Sequence, residues 1–150
     1  MNLLMKLSII AEGGGMRGAY ALGAIDALYS HFGLKKIDYA TGSSGSIATL
    51  SYYIAGQFYP GYNIWSNELP HHRFLSLRNI LKGYPMLDID YLIDEIFKKK
   101  ISLNKKKVNE SKAKLFVPLT NTKTGEAEYF NNKTDADFFE ILRATMAAPF

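Results

Sequence analysis

The stretch IDYATGSSGSI, Ile37 to Ile47, sets a short apolar run directly before a turn of small residues and the start of a second apolar segment. Ile37 to Thr41 has the length and composition of a buried strand. From Gly45 to about Phe58 the chain is apolar almost all round, with Ile47, Leu50, Tyr53 and Ile54, as in a helix buried against a sheet. A strand that turns into a helix through Gly42-Ser43-Ser44-Gly45-Ser46 brings the residues two before and two after Ser44 close together, so both must be small. Gly42 and Ser46 meet that need, which makes Ser44 a candidate nucleophile. Read alone, the three serines are equally ordinary cap and turn residues.

A second glycine-rich run, EGGGMRG, Glu12 to Gly18, lies upstream and follows another short apolar stretch, Leu7 to Ala11. Gly13-Gly14-Gly15-Met16-Arg17-Gly18 satisfies G-x-G-x-x-G between a strand and a helix, the pattern of a dinucleotide-binding loop, and Asp38 stands about 20 residues further on. In such a site the acid stands at the far end of the second strand, whereas Asp38 stands near its beginning. The same loop can serve a different anion. Glycines running into a helix N-terminus present backbone N–H groups to the oxyanion of an acyl-transfer intermediate without side chains blocking the substrate carbonyl. Two adjacent parallel strands would set both loops at one carboxyl edge of a sheet, where α/β proteins place their sites.

Beyond the loops the pattern is that of an α/β fold with a largely parallel sheet. Leu22, Ile25, Tyr29 and Phe32 mark one helical face, ended by Gly33. Between Tyr59 and Pro85 the prolines and glycines predict loops around one short helix, Phe74 to Lys82. Asp88 or Asp90 can cap a further helix, with Ile89, Leu92, Ile93, Ile96 and Phe97 as its apolar stripe. Leu115 to Asn121 and Ala127 to Phe130 read as two strands joined by a turn. Thr134 and Asp137 form a capping box for a last helix, with Pro149 just beyond it.

The bulk properties bound the function. At 150 residues with 47% hydrophobic composition, the chain is one domain with a sizeable core. It has no cysteine and three histidines, two of them adjacent at His71 and His72, so no metal set is expected. The apolar start is interrupted by Lys6 and stopped by Glu12, and reads as a strand and not as a signal peptide. No apolar run is long enough to span a membrane, so a cytoplasmic protein is expected. The formal charge of +4 is uneven: Lys98 to Lys114 carries eight lysines against Glu110. That window reads as a solvated helix end and loop, or as a peripheral contact with an anionic membrane surface. Aromatic residues do not interleave with these lysines, so no nucleic acid is expected as a partner.

The order IIAEGGGMRGAYALGAIDAL, then IDYATGSSGSI, then RATMAAPF resembles the patatin-like phospholipases, bacterial lipid acyl hydrolases with an α/β/α sandwich, over essentially the whole of residues 1–150. The resemblance implies a serine–aspartate dyad with Ser44 as nucleophile. It also implies an oxyanion hole from Gly13, Gly14, Gly15 and the Met16 amide, braced by Arg17 and supported by Gly18 and Gly42. No cofactor or metal is required by that chemistry, and the partner is a lipid or other acyl-ester substrate. Three features depart from the family pattern. Glu12 replaces an aspartate before the glycines, Ser46 replaces the second elbow glycine, and the Asp-Gly dipeptide that carries the family's catalytic aspartate does not occur. Asp38, Asp88, Asp90, Asp135 and Asp137 read as caps or surface groups, and nothing in the spacing brings His71 or His72 to Ser44. The expectation is the amino-terminal part of a longer fold, with its general base elsewhere. A non-catalytic lipid- or partner-binding remnant is the alternative, and a dinucleotide-binding domain a further one.

Overall fold

A computed structural model describes residues 5–81, 83, 85–134 and 136–147. Four strands form one sheet in the order β1 (Ser8–Ala11), β2 (Tyr39–Gly42), β3 (Lys114–Thr120) and β4 (Ala127–Asn131). The first three run parallel, and β4 returns antiparallel on β3. The register sets Ile9 beside Ala40 and Ala40 beside Leu115. Asp38 fixes the entry to this register, its Oδ2 accepting the Leu7 N–H at 2.8 Å.

The strand order rises without reversal, so right-handed crossovers bring α1 (Gly18–Ser30) and α2 (Gly45–Ile54) to the same face, where they pack together. α6 (Phe138–Met146) joins them against β3. Under this layer Ala40, Leu115 and Val117 are buried with Ile47 and Leu50 of α2 and Leu142 of α6. Alternation along the strands sends Ile10, Tyr39, Phe116 and Tyr129 to the opposite face. There Tyr39 and Phe116 stack at 6.4 Å, while Ile10 and Tyr129 are 79% and 69% exposed. The α/β class with a largely parallel sheet is as expected from the sequence.

Several boundaries differ, each for a local reason. α1 ends at Ser30, leaving Phe32 exposed beyond it. α2 ends at Ile54 and not near Phe58, because Gly56 takes φ +69°, a left-handed turn that stops the helix. Tyr59 to Pro85 is more helical than its prolines suggest. α3 (Phe58–Asn63) runs on into a π-helical segment, Ile64–Glu68. Pro60 lies in the first turn of α3, where its missing N–H has no helical partner to lose. Gly61 is there for contact, since a Cβ on it would lie 2.6 Å from Tyr52 Cβ. α4 covers only Leu77–Leu81, and Lys82 lies outside the described residues.

Asp88 caps the next helix, its Oδ1 accepting the Tyr91 N–H at 2.8 Å. That helix continues as the π-type segment Tyr91–Lys100, with Leu92, Ile93, Ile96 and Phe97 buried. Within the lysine-rich window a short helix, α5 (Lys105–Glu110), was not anticipated; Asn104 Oδ1 caps it by accepting the Lys107 N–H. The expected capping box at Thr134 does not form. Asp137 is the cap, accepting the Phe139 N–H at 3.1 Å, while the Thr134 hydroxyl donates back to the Asn131 carbonyl. Asp135 and Pro149 lie outside the described residues.

Candidate active site

The parallel register pairs Ala11 with Gly42, so the chain leaves β1 and β2 at the same carboxyl edge. Gly42 is required at that pairing: a Cβ on it would lie 2.5 Å from the Ala11 carbonyl oxygen and 2.6 Å from Ser46 Oγ. Two residues later Ser44 adopts φ 55°, ψ −135°, the one positive φ outside glycine among the described residues. Such a conformation costs roughly 1–3 kcal/mol and persists only where its surroundings hold it.

Two hydroxyls do the holding. Ser46 is buried and its Oγ accepts the Ser43 N–H at 3.1 Å, with the Ala11 and Ser43 carbonyls both 2.8 Å away as acceptors for its proton. The residue that departs from the usual elbow pattern therefore ties the turn to the end of β1. From α6, Thr145 Oγ1 accepts the Ser44 N–H at 3.0 Å. Thr145 was not singled out in the sequence, because 101 residues separate it from Ser44 and no local pattern joins them.

The glycine loop lies against this turn. The Gly13 N–H donates to Ser43 Oγ at 3.2 Å, and a Cβ on Gly13 would come within 3.3 Å of Ser44 Cβ. Gly14 leads into a tight turn of 3-10 type, Gly15–Arg17, closed by the Arg17 N–H on the Gly14 carbonyl at 3.1 Å. Among the described residues, the Gly14 N–H has no hydrogen-bond partner. The Arg17 side chain folds back over this glycine, its Nε 3.3 Å from where a Gly14 Cβ would be. Gly15 takes φ +55°. Gly18 opens α1 against Trp65: a Cβ there would lie 2.4 Å from the indole Cη2. The free N–H groups at the start of α2 also face this edge, since Ser44 is its N-cap.

The other candidates lie elsewhere. Asp38 sits at the amino end of β2, held by Leu7, at the opposite sheet edge from the glycine loop, so it does not stand where a ribose-binding acid for that loop would. Asp88 and Asp137 are helix caps, and Asp90 pairs with Arg143. His71 and His72 are exposed, with ring centroids 4.2 Å apart, and His71 Nδ1 accepts the Arg73 N–H. No carboxylate or imidazole bonds Ser44 Oγ among the described residues, and no group of acids and histidines there could hold a metal.

Five of the eight lysines of the basic window form ion pairs. Lys98 pairs with Asp94, Lys99 with Glu95, Lys100 with Glu68, Lys105 with Asp137 and Lys106 with Glu110. Four of those acids lie outside the window, so much of its charge is offset locally. No helix among the described residues is long and apolar enough to cross a membrane.

A family model described as patatin-like phospholipase matches residues 9–150. Among solved structures, the chain is similar to the type III effector protein ExoU, with a TM-score of 0.56 at 12% identity. The match covers 94% of this chain and 39% of that one, and at this identity it speaks to the fold alone. Comparison with curated proteins gives no match.

Proposed function

We propose, because this chain belongs to the patatin-like phospholipase family, that it is a hydrolase unit for acyl esters of lipids with Ser44 as its nucleophile. The observation that carries this reading is the backbone of Ser44, φ 55°, ψ −135°, at a strand-to-helix turn against a glycine loop. Ser44 Oγ attacks the ester carbonyl as its proton passes to a base, and the alcohol leaves from the tetrahedral intermediate. Water then releases the fatty acid from the acyl-enzyme. Gly14, Gly15 and Met16 supply the amides for the oxyanion. The Gly13 amide is engaged by Ser43 and acts by keeping the loop close to the turn. Arg17 braces the loop from above Gly14.

The base is a carboxylate in this reading, and no Asp-Gly dipeptide occurs in the 150 residues. Turnover by these residues alone is therefore expected to be very weak. Hydrolysis of a p-nitrophenyl ester, measured for the chain and for Ser44→Ala, tests this directly. Brisk hydrolysis that vanishes in Ser44→Ala would keep the nucleophile and reject the missing base. That no carboxylate or imidazole bonds Ser44 Oγ among the described residues favours one other reading, a lipid-binding unit without turnover, in which Ser44→Ala leaves lipid association unchanged.

A further inference from the structure

We propose that the cavity beside Ser44 is an acyl-chain site and that Trp65 sets the length of chain it accepts. The choice of ligand rests on the hydrolase reading above; the geometry does not. Two adjoining cavities lie between α2 and the helical segments that follow it. The outer one, about 50 Å³, is lined by Gly15, Met16 and Ser44 at its mouth and by Phe74, Leu87 and Ile89 further along. The inner one, about 20 Å³, reaches Ala48, Tyr52, Ile64 and Phe97 in the core. They share Gly45, Trp65, Leu69, Leu92 and Met146, so an apolar path leads inward from the nucleophile. No charged side chain lines either cavity among the described residues, which suits a hydrocarbon and not a phosphate headgroup.

Trp65 stands along this path. Its Nε1 donates to Thr49 Oγ1 at 3.0 Å, beside the inner cavity. Its benzo edge lies over one glycine of each loop: a Cβ would come within 2.4 Å of the indole at Gly18 and 3.2 Å at Gly45. Both glycines thereby give the ring its seat. With the indole in place, the outer cavity has room for about four groups of water size, which limits it to a short acyl chain. The indole is a wall common to both cavities, so its removal is expected to open one toward the other.

Trp65 is the only tryptophan, so its emission reports occupancy of the site. The intact chain and Ser44→Ala are titrated with bromobutyric and bromododecanoic acids, whose bromine quenches indole on contact. Saturable quenching by the short acid in both proteins, and weaker quenching by the long one, is expected. Quenching that rises without saturation, as for free collision, would overturn the site. Calorimetric titration of unbrominated alkanoic acids into Trp65→Ala then tests the length limit. Each methylene beyond the wild-type limit should tighten binding about fourfold, and Trp65→Phe, which keeps a ring in place, should stay near wild type. An unchanged length preference in Trp65→Ala would overturn the role of Trp65. Saturable quenching with no reaction of Ser44 toward a fluorophosphonate in any form of the reading frame, one that supplies a carboxylate base included, would reject the hydrolase reading and leave the alkyl site standing.

Discussion

The backbone N–H of Ser44 donates to Thr145 Oγ1 at 3.0 Å, joining the strained turn after β2 to the last turn of α6. A strained residue with its N–H unpaired could relax toward an ordinary turn; the threonine removes that option. Thr145→Val keeps the shape of the side chain and deletes the acceptor. It is expected to lower stability by about 1–3 kcal/mol, read by urea denaturation. In a form that supplies the carboxylate base, fluorophosphonate labelling of Ser44 should slow about tenfold with the same substitution, an amount equal to about 1.4 kcal/mol of lost positioning. Thr145→Ser, which restores the acceptor, should recover the labelling rate.

Gly42 and Ser46 bracket Ser44 and both meet the end of β1. Gly42→Ala places a methyl 2.5 Å from the Ala11 carbonyl oxygen, where backbone and not a flexible side chain must give way. A loss of about 1–3 kcal/mol is expected from that overpacking. Ser46→Ala removes the hydroxyl that accepts the Ser43 N–H and should cost about 1–3 kcal/mol. Thermal denaturation of the two variants checks both values; a stable Ser46→Ala would show that the hydroxyl is dispensable to the turn.

The two faces of the sheet should respond differently to truncation. Leu115 is fully buried on the helix-covered face, and Ile10 is 79% exposed on the other. Leu115→Ala is expected to cost about 2–5 kcal/mol, and Ile10→Ala to stay within about 0.5 kcal/mol. Similar losses from both would show that Ile10 is buried in solution.

Acid should loosen the contact between α6 and the Tyr91–Lys100 helix. Arg143 of α6 bonds Asp94 of that helix at 3.1 Å, and Lys98 bonds the same carboxylate at 2.7 Å. Hydrogen bonds from Lys98, and then from Arg143, hold the Asp94 carboxyl below its ordinary value of 3.8. A carboxyl whose folded value is depressed stabilises the fold above 3.8 and loses that contribution as pH falls through the lower, folded value. The decline in stability below about pH 4 should therefore be shallower in Asp94→Asn than in wild type. Chemical denaturation across an acid series measures the slope.

The elbow and the glycine loop were legible in the sequence because each is a local pattern. The small residues around Ser44 and the glycines after Ala11 state a steric need within a few positions. The parallel sheet followed from the alternation of short apolar runs and helical stripes. What could not be read depends on partners far along the chain. Thr145 meets Ser44 across 101 residues, and Trp65 meets Gly18 and Gly45 only once α3 has turned back over α2. Pro60 and Gly61 suggested a loop, yet one occupies a first helical turn and the other fits against Tyr52. The lysine run likewise gave no sign of Glu68 or Asp137, which balance two of its charges from distant segments.

The most direct test of Ser44 as nucleophile is labelling with a fluorophosphonate probe, with the modified residue located by mass spectrometry. It is applied to this chain, to Ser44→Ala and to any longer form of the same reading frame. The expected result is an adduct at Ser44 in the form that supplies a carboxylate base, and none in Ser44→Ala. An adduct at Ser43 or Ser46, or no adduct in any form, would contradict the assignment.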